Sequence, residues 1–436
     1  MNELPVNDHA RGLKTLSPLL LFFLLYVSVS VFSGDFYKMP VTVAFLFAAA
    51  WACCISRPRR LSKRIDRFSI GAGHRNILLM VWIFILAGAF AQTAKYIGAV
   101  EATVNLTLSV LPPQMMLAGM FTAACIISLS IGTSVGTIVA LMPVAAGMAE
   151  RGHTALPLMA GVVIGGAFFG DNLSFISDTT IAATRTQGCR MRDKFRANIA
   201  IVFPAALAVL GLYLVLGWGN TAAPDCGETA WIRTLPYLLV LGTALAGLHV
   251  AIVLLLGLGA TALLALFTPS LQIADWLGAA GAGITGMGEL IIVTLLAGGT
   301  LELIRYNGGL TYLLRHLTAH IRTRRGAECC IALMAVFANL CTANNTVAIV
   351  TVGTPARRLA AQFGISPDRS ASLLDTFSCV VQGLIPYGAQ LLMGSALAGL
   401  SALQIIPQLY YPFVMGAVAL LFICCGKGTN AAPEQG

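Results

Sequence analysis

The chain has 436 residues, of which 57% are hydrophobic and 10% charged, with a net charge of +9 and a mean hydropathy of +0.83. Soluble proteins carry about 25% charged residues, so this balance excludes a soluble globular domain. The basic residues flank apolar runs, so the positive charge reports membrane topology and no nucleic acid is expected as a partner.

Apolar stretches of roughly 18 to 22 residues suit membrane-spanning helices, whereas barrel strands alternate over about 10. The first, "SPLLLFFLLYVSVSVF", meets a second apolar run with no A-x-A-like cleavage site between them. It is therefore expected to be a retained helix and not a signal peptide. Spans over 17 to 33 and 39 to 56 form an opening hairpin, joined by "SGDFYKMP", where Asp35 is expected to cap an external loop. The tract 57 to 75, "RPRRLSKRIDRFSIGAGHR", holds seven basic residues and belongs in the cytoplasm.

A span over 77 to 94 follows, then a weakly charged region with Lys95. Segment 114 to 150 is apolar at both ends and interrupted by "SIGTSVGT". Segment 154 to 188 is interrupted by "GDNLSFISDTT" and runs into the basic "RTQGCRMRDKFR". Further spans are expected at 197 to 218, 231 to 248, 250 to 268, 289 to 304, 370 to 400 and 404 to 425, with His249 marking a helix turn. This arrangement puts 23 of the 27 basic residues in the cytoplasm, including Lys427, and leaves Lys38, Lys95, Arg151 and Arg233 outside. Both termini are then cytoplasmic. The eleven cysteines fall mostly within apolar runs, at no zinc-type spacing, and read as packing residues.

Self-comparison at an offset of 210 aligns "LAGAFAQTAKYIG" (86 to 98) with "LAGGTLELIRYNG" (296 to 308), with five identities in thirteen positions. The first copy has one basic residue, Lys95, before the next apolar segment. The second leads into Arg305, Arg315, Arg322, Arg324 and Arg325. Opposite charge bias implies opposite orientation, and inverted repeats typify secondary transporters whose sites lie at mid-membrane between interrupted helices. The interruptions are paired as well: "IGTSVGT" (131 to 137) with "CTANNTVA" (341 to 348), and "GDNLSFISDTT" with "SCVVQGLIPYGAQ" (378 to 390). The expected organisation is a tail, opening hairpin and basic loop at 1 to 76, repeats at 77 to 218 and 289 to 425, a linking transmembrane hairpin at 219 to 288, and a cytoplasmic tail at 426 to 436.

Backbone that leaves the helical path within a bilayer must be buried in protein or line a polar cavity. Carboxylates at such a break favour a cation, and an ionised one in a span costs roughly 3 kcal/mol unless it is paired, hydrated or ion-bound. Asp171, Asp178, Glu302 and Asp375 fall inside the expected spans. Asp171 and Asp178 are the leading Na+ and proton candidates, with Asn172, Ser174, Ser177, Thr179, Thr133, Ser134 and Thr137 as neutral ligands. Asn344, Asn345, Thr346, Asp375 and Gln382 form the second-repeat set, although Asp375 serves equally as a helix cap near Pro367. Glu302, aligned with Gln92, is a candidate for a proton or ion path, and an i,i+3 pair with Arg305 explains it as well. Isolated hydroxyls such as Ser128 and Thr122 are expected to bond back to carbonyls.

The segments "SIGTSVGT", "GAFFGDNLSFISDTTIAATRTQGC", "TANNTVAIV" and "LLDTFSCVVQGLIPYGAQ" together resemble the NhaC family of Na+/H+ antiporters, across roughly residues 17 to 425. The resemblance implies inverted repeats with two re-entrant hairpins and discontinuous helices, Na+ sites at their tips, a homodimer and elevator-type motion. It carries one departure: proline often follows the serine of the aspartate motif in the family, where this chain has Phe175 after Ser174. The resulting expectation is a secondary transporter of the bacterial inner membrane, not an enzyme and needing no cofactor. It would move Na+ outward against H+, with Na+-coupled transport of a small carboxylate or amino acid as the alternative. No nucleotide-binding loop supports an ATP-driven pump, and matched breaks argue against a channel or scaffold.

Overall fold

In the computed structural model, which describes residues 9–33, 39–57, 60–175, 177–218, 230–318 and 321–425, every regular element is helical. Asp35, Lys38, Lys427 and the tail from 426 lie outside the described residues. Eight stretches among the described residues are long and apolar enough to cross a membrane. A ninth is added if the bent pair Ala402–Gln408 and Tyr410–Cys425, at 52°, counts as one span. The chain is a polytopic, all-helical membrane protein.

Helices α1 (His9–Ser33) and α2 (Val41–Ile55) form the opening hairpin. Their aromatic rings reach into the second half: Phe22 and Phe45 lie with ring centroids 4.2 Å apart, and each packs at 5.3 Å on Tyr387. Within the basic tract, expected to be loop, the chain forms the helix α3 (Leu61–Ala72). α3 docks by close backbone approach, since a Cβ on Gly71 would lie 2.5 Å from the carbonyl oxygen of Gly298.

The first half continues through α4 (Arg75–Tyr96), α5 (Ala99–Val110), a 3-10 turn at Pro113–Met115, α6 (Met116–Ile131), α7 (Ser134–Arg151), α8 (Leu156–Leu173), α9 (Asp178–Gln187) and α10 (Met191–Trp218). Helices α11 (Trp231–Leu245), α12 (Val250–Phe267) and α13 (Ile273–Gly286) connect the halves. His249 caps α12, its Nδ1 accepting from the Ala251 amide at 3.3 Å. No span was expected over α13, whose 14 residues, many of them glycine or alanine, fall short of a membrane crossing. Those small residues instead let backbones touch: a Cβ on Gly283 would lie 2.1 Å from the carbonyl oxygen of Gly88 in α4.

The second half comprises α14 (Gly288–Tyr306), α15 (Gly309–Thr318), α16 (Arg324–Thr342), α17 (Asn345–Gln362), α18 (Pro367–Leu384), α19 (Ala389–Ala398), α20 (Ala402–Ile405), a 3-10 turn at Ile406–Gln408, and α21 (Tyr410–Cys425). α13 and α14 run together as a 34-residue apolar stretch, Ile273–Tyr306, so the span expected at 289 to 304 begins well before it.

Helix starts recur between the halves. Gly309 lies 210 residues after Ala99, while Asn345, Pro367, Ala389 and Ala402 lie 211 after Ser134, Leu156, Asp178 and Met191. Left-handed backbone recurs at the same spacing, at Gly98 and Gly308, Gly132 and Ala343, His153 and Gly364, and Gly188 and Gly399. The packing is reciprocal: α19 lies on α7 and α9 lies on α17, so each half's post-break helix seats on the other half's hairpin.

Candidate functional site

Four helix breaks meet where these packings cross. A helix end leaves backbone amides or carbonyls without intrahelical partners, so each break must supply its own. α6 stops at Gly132, whose φ of 72° suits glycine, and whose amide donates to the Ser128 carbonyl at 2.8 Å. Thr133 is extended, and Ser134 opens α7. In the second half Ala343 takes the left-handed turn, and Asn344 caps α17 by accepting from the Val347 amide at 3.0 Å.

The α8 break is held against α6 at very short range. A Cβ on Gly170 would lie 2.3 Å from the Leu129 nitrogen. Ser128 Oγ donates to the Ala167 carbonyl at 2.5 Å, and Ser174 Oγ to that of Leu129 at 2.8 Å. The second half repeats the pattern: Asn339 donates to the Ser378 carbonyl at 2.7 Å, and Tyr387 Oη to that of Leu340 at 2.7 Å. Ser177 caps α9, its Oγ accepting from the Thr179 amide at 3.3 Å. Ile176 lies outside the described residues.

Asp171 sits in the last turn of α8, 5% exposed. Its Oδ2 accepts from Ser134 Oγ at 2.9 Å and its Oδ1 from Ser177 Oγ at 2.7 Å. Ser177 and Thr179 share a hydroxyl contact at 2.9 Å, and Thr179 Oγ1 donates to the Asp171 carbonyl at 3.3 Å. Among the described residues no lysine, arginine or histidine forms an ion pair with Asp171. The carboxylate lies beside the N-terminus of α7, where the helix dipole favours negative charge.

From Ser134 a relay crosses into the second half. Gln390 Nε2 donates to Ser134 Oγ at 2.9 Å, and Gln382 Nε2 donates to Gln390 Oε1 and to the Ala343 carbonyl, both at 3.0 Å. Residues 171 and 382 are 211 apart, as are 179 and 390, so Gln382 holds the place of Asp171 and Gln390 that of Thr179.

Beside this relay lies a buried ion pair. Lys194 of α10 bonds Asp375 Oδ2 of α18, the carbonyl of Asn172 at 2.6 Å and Thr180 Oγ1 at 2.8 Å. Asn198, one turn along α10, donates to Asn172 Oδ1 at 2.6 Å and to Asp375 Oδ2 at 3.4 Å. Lys194 is 1% exposed and Asp375 fully buried. Asp375 therefore does not cap α18, whose N-cap is Ser366. Lys194, read from sequence as a cytoplasmic flanking charge, has left the basic surface for the interior. An unpaired carboxylate in the third turn of a buried helix would be costly, and the ammonium removes that cost.

The other candidates spread out. Asp178 is exposed at the first residue of α9, outside the cluster around Asp171. Thr137 bonds back to the Thr133 carbonyl at 3.2 Å. Asn345 is buried with an unpartnered Nδ2, and Thr346 is half-buried. Glu302 pairs with Arg305 at 2.7 Å and lines a cleft with His74 and Asn344, while Gln92 is exposed. Phe175, the departure from the family motif, stacks on Phe195 at 4.7 Å.

Sequence reasoning missed Lys194, Asn198, Thr180 and Gln390. Only a lysine and an asparagine four apart, on one face of an apolar helix, would have pointed to the first two.

The family model described as "Na+/H+ antiporter family" matches residues 15–218 and 232–427. The Na+/H+ antiporter NhaC of Bacillus subtilis is 25% identical over 421 residues, covering 88% of this chain and 91% of that protein. The protein of the same name from Alkalihalophilus pseudofirmus is 24% identical over 417 residues, covering 86% and 87%. A malate-2H+/Na+-lactate antiporter of Bacillus subtilis is 26% identical over 210 residues, covering 47% and 44%.

Proposed function

This chain belongs to the Na+/H+ antiporter family and is a secondary transporter, and from that premise we propose that it exchanges cytoplasmic Na+ for external H+ by alternating access, at Asp171. The observation that carries this reading is a buried carboxylate whose side-chain partners are hydroxyls and not a cation. A hydroxyl donates through its hydrogen while keeping two lone pairs. Ser134 and Ser177 can thus hold the ionised carboxylate in place and still offer oxygens to Na+, with Thr179 alongside.

Na+ binds the ionised acid and a proton binds the same acid in its place. Two ligands that exclude each other at one site, with access alternating between the two sides of the membrane, suffice for exchange. Asp178, exposed seven residues on, is not part of that hydroxyl cluster. The recurring helix starts and left-handed turns support two repeats of inverted topology with re-entrant tips at 131–134 and 342–345. The charge bias supports cytoplasmic termini in a bacterial inner membrane.

The test is Na+-dependent collapse of a pH gradient in everted membrane vesicles. Asp171→Asn should abolish it, and a variant that keeps full exchange refutes the site. A second reading, with a small organic anion or amino acid as additional cargo, draws on the unpartnered Asn345 Nδ2 and Gln382 Oε1 and on the name of the malate/lactate relative. Na+-driven uptake of labelled carboxylates or amino acids into proteoliposomes tests it.

A further inference from the structure

We propose that the ammonium of Lys194 is a tethered occupant of a second monovalent-cation site, and that this site accepts Na+ once the ammonium is removed. The inference rests on the reading of the chain as a Na+ transporter, but on residues that reading does not use.

The cradle around Nζ is made entirely of oxygen: a carboxylate from Asp375, a main-chain carbonyl from Asn172 and a hydroxyl from Thr180. These are the ligand types that hard cations prefer. The carbonyl comes from the C-terminal turn of α8, where the helix dipole places negative charge and where no later amide of the same helix uses that oxygen. An ammonium has three N–H donors and meets three acceptors here, so the lysine fills the cradle.

A further oxygen is in waiting. Asn198 contacts the same Asp375 carboxylate through Nδ2, while its Oδ1 is buried and has no partner. That amide now donates to the Asn172 carbonyl at 3.1 Å and to Asn172 Oδ1 at 2.6 Å, so its reversal together with that of the Asn172 amide, whose Nδ2 is likewise unpartnered, would present a fourth oxygen to an ion in place of Nζ. A buried ammonium needs an acceptor for each of its three N–H groups. Here the unwound end of α8 turns its carbonyl, and α9 its hydroxyl, toward the same point. Asn172 is also the residue next to Asp171, so the cradle and the proposed Na+ site share one break. With the lysine in place, the break carries one exchangeable cation and one fixed charge.

Equilibrium 22Na+ binding to the purified full-length protein tests the assignment, with N-methylglucamine chloride as the Na+-free reference and thermal unfolding followed in parallel. Wild type should bind one Na+ per chain, Lys194→Ala two, and Lys194→Ala with Asp375→Asn one again. Lys194→Ala should also gain a Na+-dependent rise in unfolding temperature that the double variant lacks. The proposal is overturned if Lys194→Ala binds no more Na+ than the double variant. It is equally overturned if Lys194→Ala does not fold in high NaCl, because Na+ in the vacated cradle should restore the missing charge. Asp171→Asn in the otherwise native chain separates the two readings. Na+ binding that survives in this variant defeats the assignment of Asp171, while the comparison between the Lys194 variants stands.

Discussion

Asp171 and Gln382 occupy equivalent turns of two broken helices and are joined by only two side chains, Gln390 and Ser134, in an unbroken run of hydrogen bonds at 2.9 to 3.0 Å. An acid in one half thus faces an amide in the other. The amide can hold the relay in register but cannot take up a proton near neutral pH, so of the two related positions only that of Asp171 can change its charge.

Exchange should depend on pH through competition at Asp171. Protonation removes the form that binds Na+, so lowering the pH raises the Na+ concentration for half-maximal exchange. The rise approaches about tenfold per pH unit once the acid is mostly protonated. Titrating Na+ against dye dequenching in vesicles at several pH values measures it, and a half-saturating Na+ concentration that does not move with pH contradicts shared occupancy.

Cutting the relay should weaken Na+ binding without abolishing exchange. Gln390→Ala leaves Ser134 bonded to Asp171 but removes the donor that fixes the serine. Losing one such bond costs about 0.5 to 1.5 kcal/mol, equivalent to a roughly two- to twelvefold higher half-saturating Na+ concentration. The maximal rate should change less than the apparent affinity.

Gly170 is a packing constraint, not a flexible joint. A methyl group there must displace the backbone at Leu129, and overpacking of this kind costs about 1 to 3 kcal/mol. Gly170→Ala should lower the unfolding temperature of the purified protein. Gly211→Ala, where no atom stands within 4 Å, is the control and should not.

Glu328 and Arg369 form a second buried pair, at 2.9 Å, between α16 and α18. Removing one charge of a buried pair costs about 3 to 5 kcal/mol. Glu328→Gln should therefore destabilise the protein strongly, and Glu328→Gln with Arg369→Met should recover much of the loss. Thermal unfolding of the three proteins decides it.

Much of this architecture could be read from residue order. The apolar runs located most spans, and clustered Gly, Ser, Thr and Asn located the breaks, because unwound backbone in lipid needs such residues. The breaks were paired as segments, but the residue-by-residue match across them was lost for a specific reason. The comparison at 210 holds through Gly98 and Gly308, but one additional residue in the second half shifts the later elements to 211. At 210, Asp171 falls opposite Val381; at 211 it falls opposite Gln382.

Lys194 was hidden differently. A lysine amid four other basic residues at the end of a span has the same local sequence whether it faces water or turns inward. Only α18, far along the chain, decides which. Asp178 errs in the opposite sense: it shares a motif with Asp171, yet the break between them rotates it to the surface. The α13 helix escaped notice because its 14 residues are too few to cross a membrane alone, and its continuation into α14 is decided by the fold.

The reciprocal seating of α9 on α17 and α19 on α7 also bears on how the protein is made. α19 supplies Gln390 and is synthesised after every other element that contributes to the relay. During translation the first half must therefore enter the bilayer with the bed for α19 vacant and Ser134 lacking its glutamine partner. A nascent chain in that condition has the acid but not the enclosure around it.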